Sequence, residues 1–216
     1  AGIAPRIGGS VAHYHWRDGA RRHDWLRPAA PVDLAAGTAD RLACFPLVPF
    51  SNRIRDGRFA FGGHAVALPR NHRPQPHALH GHGWKAAWSV IEREEDRIAL
   101  EYDHRADAWP FPYRARQEFL LTGGELRLSL SLENRGRETM PAGLGFHPYF
   151  PRTPRCRLWA RVDAMWATDA EVMPTALVDA DARLAGASGL PVADVLLDNA
   201  FTGCRGHVTA KHSRRH

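Results

Sequence analysis

His147 stands in Leu144-Gly145-Phe146-His147-Pro148-Tyr149-Phe150, and His80 in Ala78-Leu79-His80-Gly81-His82-Gly83-Trp84. A proline pushes the residue before it toward extended backbone, so His147 is expected at the end of a strand with its imidazole aimed at a fixed point. The glycines after His80 permit tight turns, which puts a second imidazole on a loop at the mouth of a sheet. Imidazole gives and takes protons near neutrality, and two at one place suit general acid–base chemistry.

Three more polar side chains stand out against apolar surroundings. Asn52 and Arg53 follow the stiff stretch Phe45-Pro46-Leu47-Val48-Pro49-Phe50, and such a pair can offer several fixed hydrogen bonds to a ligand's hydroxyls. The plain alternative is a turn asparagine and a surface arginine. Asp198 emerges from Leu196-Leu197; its carboxylate could accept from two adjacent hydroxyls, or cap a turn. His77, His80 and His82 are spaced two and three apart and could chelate a metal from a loop, but among 13 histidines such proximity arises readily.

Composition sets the class. Charged residues make up 24% of the 216 and hydrophobic residues 44%, as in an ordered globular chain with a length for one domain or two small ones. No seam is evident, and a single domain over 1–216 is expected. The net charge of +6 is almost all arginine, the only lysines being Lys85 and Lys211. Those arginines are scattered, whereas a nucleic-acid surface needs a clustered basic stripe with aromatics. Cys44, Cys156 and Cys204 are too widely spaced for a thiolate zinc site and suggest a reducing compartment. With no signal-peptide pattern and no apolar stretch of about 18 residues, a cytoplasmic protein off the membrane is expected.

Short alternating stretches must position these residues. Leu126, Leu128, Leu130 and Leu132 alternate with polar residues over Glu125–Glu133, a strand with one buried face. Arg114–Leu121 precedes it across Thr122-Gly123-Gly124, which reads as a hairpin. Arg97–His104 and Arg157–Val162 alternate as well, and Phe59–Leu68 breaks at Gly62-Gly63 into two short strands. No segment carries a helical stripe over three turns, and Asp179–Pro191 reads as a surface excursion. Many short strands between Gly, Pro, Asn and Asp predict an all-β, antiparallel sandwich.

Taken in order, the motifs resemble one family, the aldose 1-epimerases or galactose mutarotases. The matching pieces are Gly8-Gly9, Pro49-Phe50-Ser51-Asn52-Arg53-Ile54 with Gly57, Leu79-His80-Gly81 with Gly83-Trp84, and Trp109-Pro110-Phe111-Pro112-Tyr113. Glu133-Asn134, the run Met140–Phe150, and Leu197-Asp198 with Phe201 complete them. The resemblance implies a large antiparallel β-sandwich that binds a monosaccharide on a concave face and interconverts the α and β anomers of a free aldose, with no metal or organic cofactor. It makes His147 the general acid toward the ring oxygen and His80 its neighbour polarising that oxygen. Asn52, Arg53 and Asp198 would hold hydroxyls.

The likeness fades at about Gly206. The family's base is a glutamate beyond the Asp198 region, and no glutamate follows Glu171 in this chain. Residues 204–216 read as a basic tail without strand pattern, so a truncation of the closing strands is expected. Two other readings stay open: a non-catalytic carbohydrate-binding relative, and a hexose-6-phosphate 1-epimerase whose phosphate the arginines would meet.

Overall fold

The computed structural model describes residues 1–212. Its contacts part the chain into two compact units, Ala1–Pro151 and Arg152 onward. The division falls at Phe150-Pro151-Arg152-Thr153-Pro154, where two prolines withhold the N–H groups a continuing strand would need.

In the first unit two four-stranded antiparallel sheets carry the fold. One runs in the order Gly2–Ala4, Ser10–His13, Cys44–Leu47, Gly145–Pro148. The other is Ser89–Arg93, Arg97–His104, Tyr113–Thr122, Glu125–Asn134. Val11 and Cys44 from the first sheet share one apolar cluster with Leu100, Tyr113, Ala115 and Phe119 from the second. This is the sandwich that the alternation predicts. Leu126, Leu128, Leu130 and Leu132 pack against the same cluster from the outermost strand, and the hairpin pairs Thr122 with Glu125 across the two glycines. Arg58–Phe61 and His64–Ala67 pair around Gly62-Gly63, as read from the sequence. One six-residue helix, Pro31–Ala36, starts on a proline and stops at left-handed Gly37.

The Cys44–Leu47 strand separates two apolar layers because successive side chains point to opposite faces. Cys44 enters the main core. Phe45 and Leu47 enter a second, smaller cluster with Ala39 and Trp84. Antiparallel register then decides where the neighbouring strand's residues go: Phe146 lies opposite Pro46 and packs on the main core, while His147 lies opposite Phe45 on the second layer. A one-residue slip would exchange them.

The second unit has two three-stranded antiparallel sheets. Cys156–Trp159 lies between Leu190–Pro191 and Thr209–His212, and Ala164–Thr168 lies between Pro174–Val178 and Phe201–Thr202. Two expectations are corrected here. Asp179–Pro191 is not only a surface excursion: Leu184 and Leu190 are buried with Ala160 and form this unit's core. The stretch from Cys204 also contains a strand, Thr209–His212, whose pairing comes from a distant partner rather than from its own alternation; residues 213–216 of that tail lie outside the described residues. No described helix is long and apolar enough to cross a membrane.

Leu100 is fully buried between the sheets, so Leu100→Ala leaves a cavity and removes transferred apolar surface. Urea unfolding should show a loss of about 2–5 kcal/mol. A loss under about 1 kcal/mol would mean that the two sheets do not share this core.

Candidate functional site

Phe45 is the floor of the candidate site. Its ring stacks on His147, with centroids 4.8 Å apart and planes 15° apart, and on Trp84 at 5.3 Å and 29°. Tyr149 flanks His147 at 4.8 Å. Its own place is fixed by backbone bonds from its N–H to Ala43 O and from Arg27 N–H to its carbonyl, both 2.8 Å, with the Arg27 guanidinium 4.0 Å over the ring. His147 thus sits at the end of the Gly145–Pro148 strand, half-buried, with a defined ring plane.

His80 meets His147 edge to face, with centroids 5.4 Å apart and planes at 71°. Its backbone is unusual, with φ at +59°. For a residue with a Cβ the left-handed region costs on the order of 1–2 kcal/mol, and such strain persists only where neighbours enforce it. The neighbours are close at hand. Arg53 pairs with Leu79 in a short ladder, His80 N–H donates to Asn52 O at 2.8 Å, and the N–H groups of His82 and Gly83 both donate to Val48 O. Gly81, with φ at +70°, lies so close to the Val48 carbonyl that a Cβ would collide with it.

Asn52 returns the contact. Its backbone N–H donates to His80 Nδ1 at 3.0 Å. An amide can only donate, so Nδ1 must accept, and the neutral ring carries its proton on Nε2. A second proton on Nδ1 would destroy this bond. Burial, followed by the His147, Arg53 and His72 charges, also pulls the His80 pKa from 6.5 to about 3. His80 is therefore a neutral imidazole with an Nε2–H to offer at any pH near neutrality. Arg53 joins the group through Nη1 to Asn52 Oδ1 at 3.2 Å and Nε to Gln75 Oε1 at 3.4 Å. Cys44, on the strand beneath His147, is no nucleophile: burial pushes its thiol up to about 12.

Of the residues singled out by sequence, His80, His147, Asn52 and Arg53 therefore come together in the first unit. Asp198 belongs to the second, on an exposed segment anchored next door by Asn199 Nδ2 donating to Trp166 O at 2.8 Å. The three spaced histidines do not converge. His77 Nδ1 accepts from Asp56 N–H at 3.1 Å, His80 faces His147, and His82 Nε2 lies 2.7 Å from the Tyr113 hydroxyl. No group of three or more potential metal-ligating residues occurs among the described residues. Sequence reasoning missed Phe45, Tyr149, Gln75 and the His82–Tyr113–His104 stack, in which the His82 and His104 rings are 4.4 Å apart. The only signal in advance was the density of aromatics and histidines around these positions.

Comparisons with known proteins bear on the fold and the family. A solved Escherichia coli K12 structure, assigned provisionally to the aldose 1-epimerases, superposes with a TM-score of 0.84 at 32% identity, covering 97% of this chain and 69% of its own. A galactose mutarotase-like protein from Clostridium acetobutylicum gives 0.76 at 22% identity, over 92% and 64%. The fold is that of the galactose mutarotase-like sandwiches. The family model for aldose 1-epimerase matches residues 3–214, and the chain belongs to that family. Among curated relatives, the uncharacterized protein YphB of Escherichia coli K12 is 39% identical over 158 residues, 73% of this chain and 51% of YphB. YihR of the same organism is 27% identical over 106 residues, 48% of this chain and 34% of YihR. The chain thus spans about half the length, or less, of the curated relatives it matches.

His82 supplies a prediction in acid. Burial first, then the nearby His104, lowers its pKa from 6.5 to about 4. Between those values the unfolded chain binds a proton that the folded chain refuses, so stability is full above pH 6.5 and falls as the pH drops toward 4. His82→Gln removes that contribution. The urea midpoint should then depend less steeply on pH in this window than in the unsubstituted protein, and identical slopes would contradict the assignment.

Proposed function

We propose that this chain forms the sugar-holding and proton-donating part of an aldose 1-epimerase site for a free hexose. The observation that carries the reading is the unequal histidine pair, in which His80 is kept neutral by the Asn52 amide while meeting His147 edge to face. Anomer exchange needs two proton movements. A base takes the proton of the anomeric hydroxyl; the C1–ring-oxygen bond breaks as the C1 carbonyl forms, and the ring oxygen receives a proton. Rotation about C1–C2 and reclosure by the reverse transfers give the other anomer.

In this reading His147 gives its proton to the ring oxygen, and His80 donates a hydrogen bond from Nε2–H to the same atom. A fixed neutral donor aimed at developing negative charge stabilises it without reorganising. Arg53 and Asn52 hold hydroxyls, their own mutual bond fixing the angle between them. The family's basic glutamate has no counterpart after Glu171, and no residue is assigned that step. The second reading is a sugar-binding relative that does not turn over.

Exchange spectroscopy by NMR on the anomers of glucose and galactose separates the readings. The protein should speed exchange, and His147→Asn should slow it by about 10²–10⁴-fold while leaving the fold intact. An unchanged rate in His147→Asn would remove the acid from this account. Sugar binding that weakens in Arg53→Ala, without any acceleration by the unsubstituted chain, would select the binding protein.

A further inference from the structure

The His80 loop is held by one side chain that the motifs did not single out. Asn71 Nδ2 donates to the carbonyls of Leu79 at 2.7 Å and Gly81 at 2.6 Å, and Asn71 Oδ1 accepts from Leu79 N–H at 2.8 Å. Both amide protons and the amide oxygen are thereby spent on the residues on either side of His80. The Asn71 backbone is itself tied down, since its carbonyl accepts from Lys85 Nζ, and Lys85 lies over the Trp84 ring. Trp84 Nε1 in turn donates to Gly81 O at 3.1 Å and reaches Leu79 O at 3.4 Å, the same two oxygens that Asn71 holds.

Each of these contacts fixes a carbonyl or amide plane next to a residue in left-handed conformation. The Leu79 carbonyl belongs to the peptide plane that sets His80 φ, and the Gly81 carbonyl to the one that sets the ψ of Gly81, itself left-handed, so together they hold the loop that aims the His80 side chain. If they relax, part of the restraint that keeps His80 at φ +59° is lost, and its Nδ1 is freer to leave the Asn52 amide 3.0 Å away. Without that donor the ring can place its proton on either nitrogen.

We propose that Asn71 is a positioning residue for the candidate epimerase site, holding the backbone around His80 so that Nδ1 stays on the Asn52 amide and Nε2–H remains the outward donor. The inference deepens the functional reading above and rests on it for its catalytic consequence, but its structural half stands alone. Asn71→Asp is the informative change: the shape is kept, both donors are lost, and a carboxylate faces two carbonyl oxygens. Asn71→Ala removes the clasp outright.

Long-range ¹⁵N spectra of the histidine rings test this directly. In the unsubstituted protein His80 should show an unprotonated Nδ1 and a protonated Nε2 down to about pH 5. In Asn71→Ala and Asn71→Asp the His80 signals should move to a mixture of tautomers and begin to titrate in that range, while the His82 signals and the thermal midpoint of the main core change little. Where anomer exchange is measurable, kcat should fall by about 10- to 100-fold with a smaller change in KM. An unaltered His80 ring spectrum in a folded variant overturns the proposal. Should both variants fail to fold, the unsubstituted protein still decides, through the Asn71 side-chain NH₂ and the Leu79 amide: slow exchange of both with solvent supports the clasp, and rapid exchange overturns it. If the unsubstituted protein exchanges no anomers, the functional reading fails while the ring spectra still judge the clasp.

Discussion

The reciprocal contact between Asn52 and His80 is the constraint on which the site depends. One backbone segment donates to an imidazole nitrogen, and that imidazole's own amide donates back to the first segment's carbonyl. The pair joins residues 28 positions apart in sequence and fixes backbone and tautomer together. A histidine so held cannot serve as a reversible acid near neutrality, because its second proton would have to displace the amide. It can serve as a donor of fixed direction. His80 is thereby limited to donating from Nε2, a restriction made by hydrogen-bond geometry rather than by residue type.

The sandwich serves the site by register. Because Phe45 and Cys44 point to opposite faces of one strand, a single ladder sends Phe146 into the main core and His147 onto the Phe45 ring. Packing of Phe146 thereby orients the residue beside it. The glycines around His80 contribute what no other residue could, since Gly81 must adopt a positive φ against the Val48 carbonyl.

Much of this was legible in the sequence where the signal was local. The leucine alternation over Glu125–Glu133, the Gly-Gly turns and the proline after His147 each act through neighbouring residues, and each fixed an element or a strand end correctly. The ordered motifs carried the family. What stayed illegible was long-range. Phe45 looked like one more core aromatic, Asn71 lies in Arg70-Asn71-His72 with no pattern around it, and the His82–Tyr113 bond spans 31 positions. The strand Thr209–His212 was missed for the same reason: its pattern is set by Cys156–Trp159, not by its own residues. Leu184 and Leu190 were read as surface because the surrounding Ala, Gly and Asp hid two buried anchors.

The central claim is that a neutral, donor-only His80 and a proton-giving His147 address the same sugar oxygen. The most direct measurement is a ¹⁵N-histidine spectrum of the unsubstituted protein titrated with galactose and glucose at pH 7. The account predicts that the ring signals of His80 and His147 shift together with one apparent affinity, with His80 Nδ1 unprotonated throughout. Sugar binding that leaves both rings unmoved, or a His80 ring that takes up a second proton on binding, would contradict it.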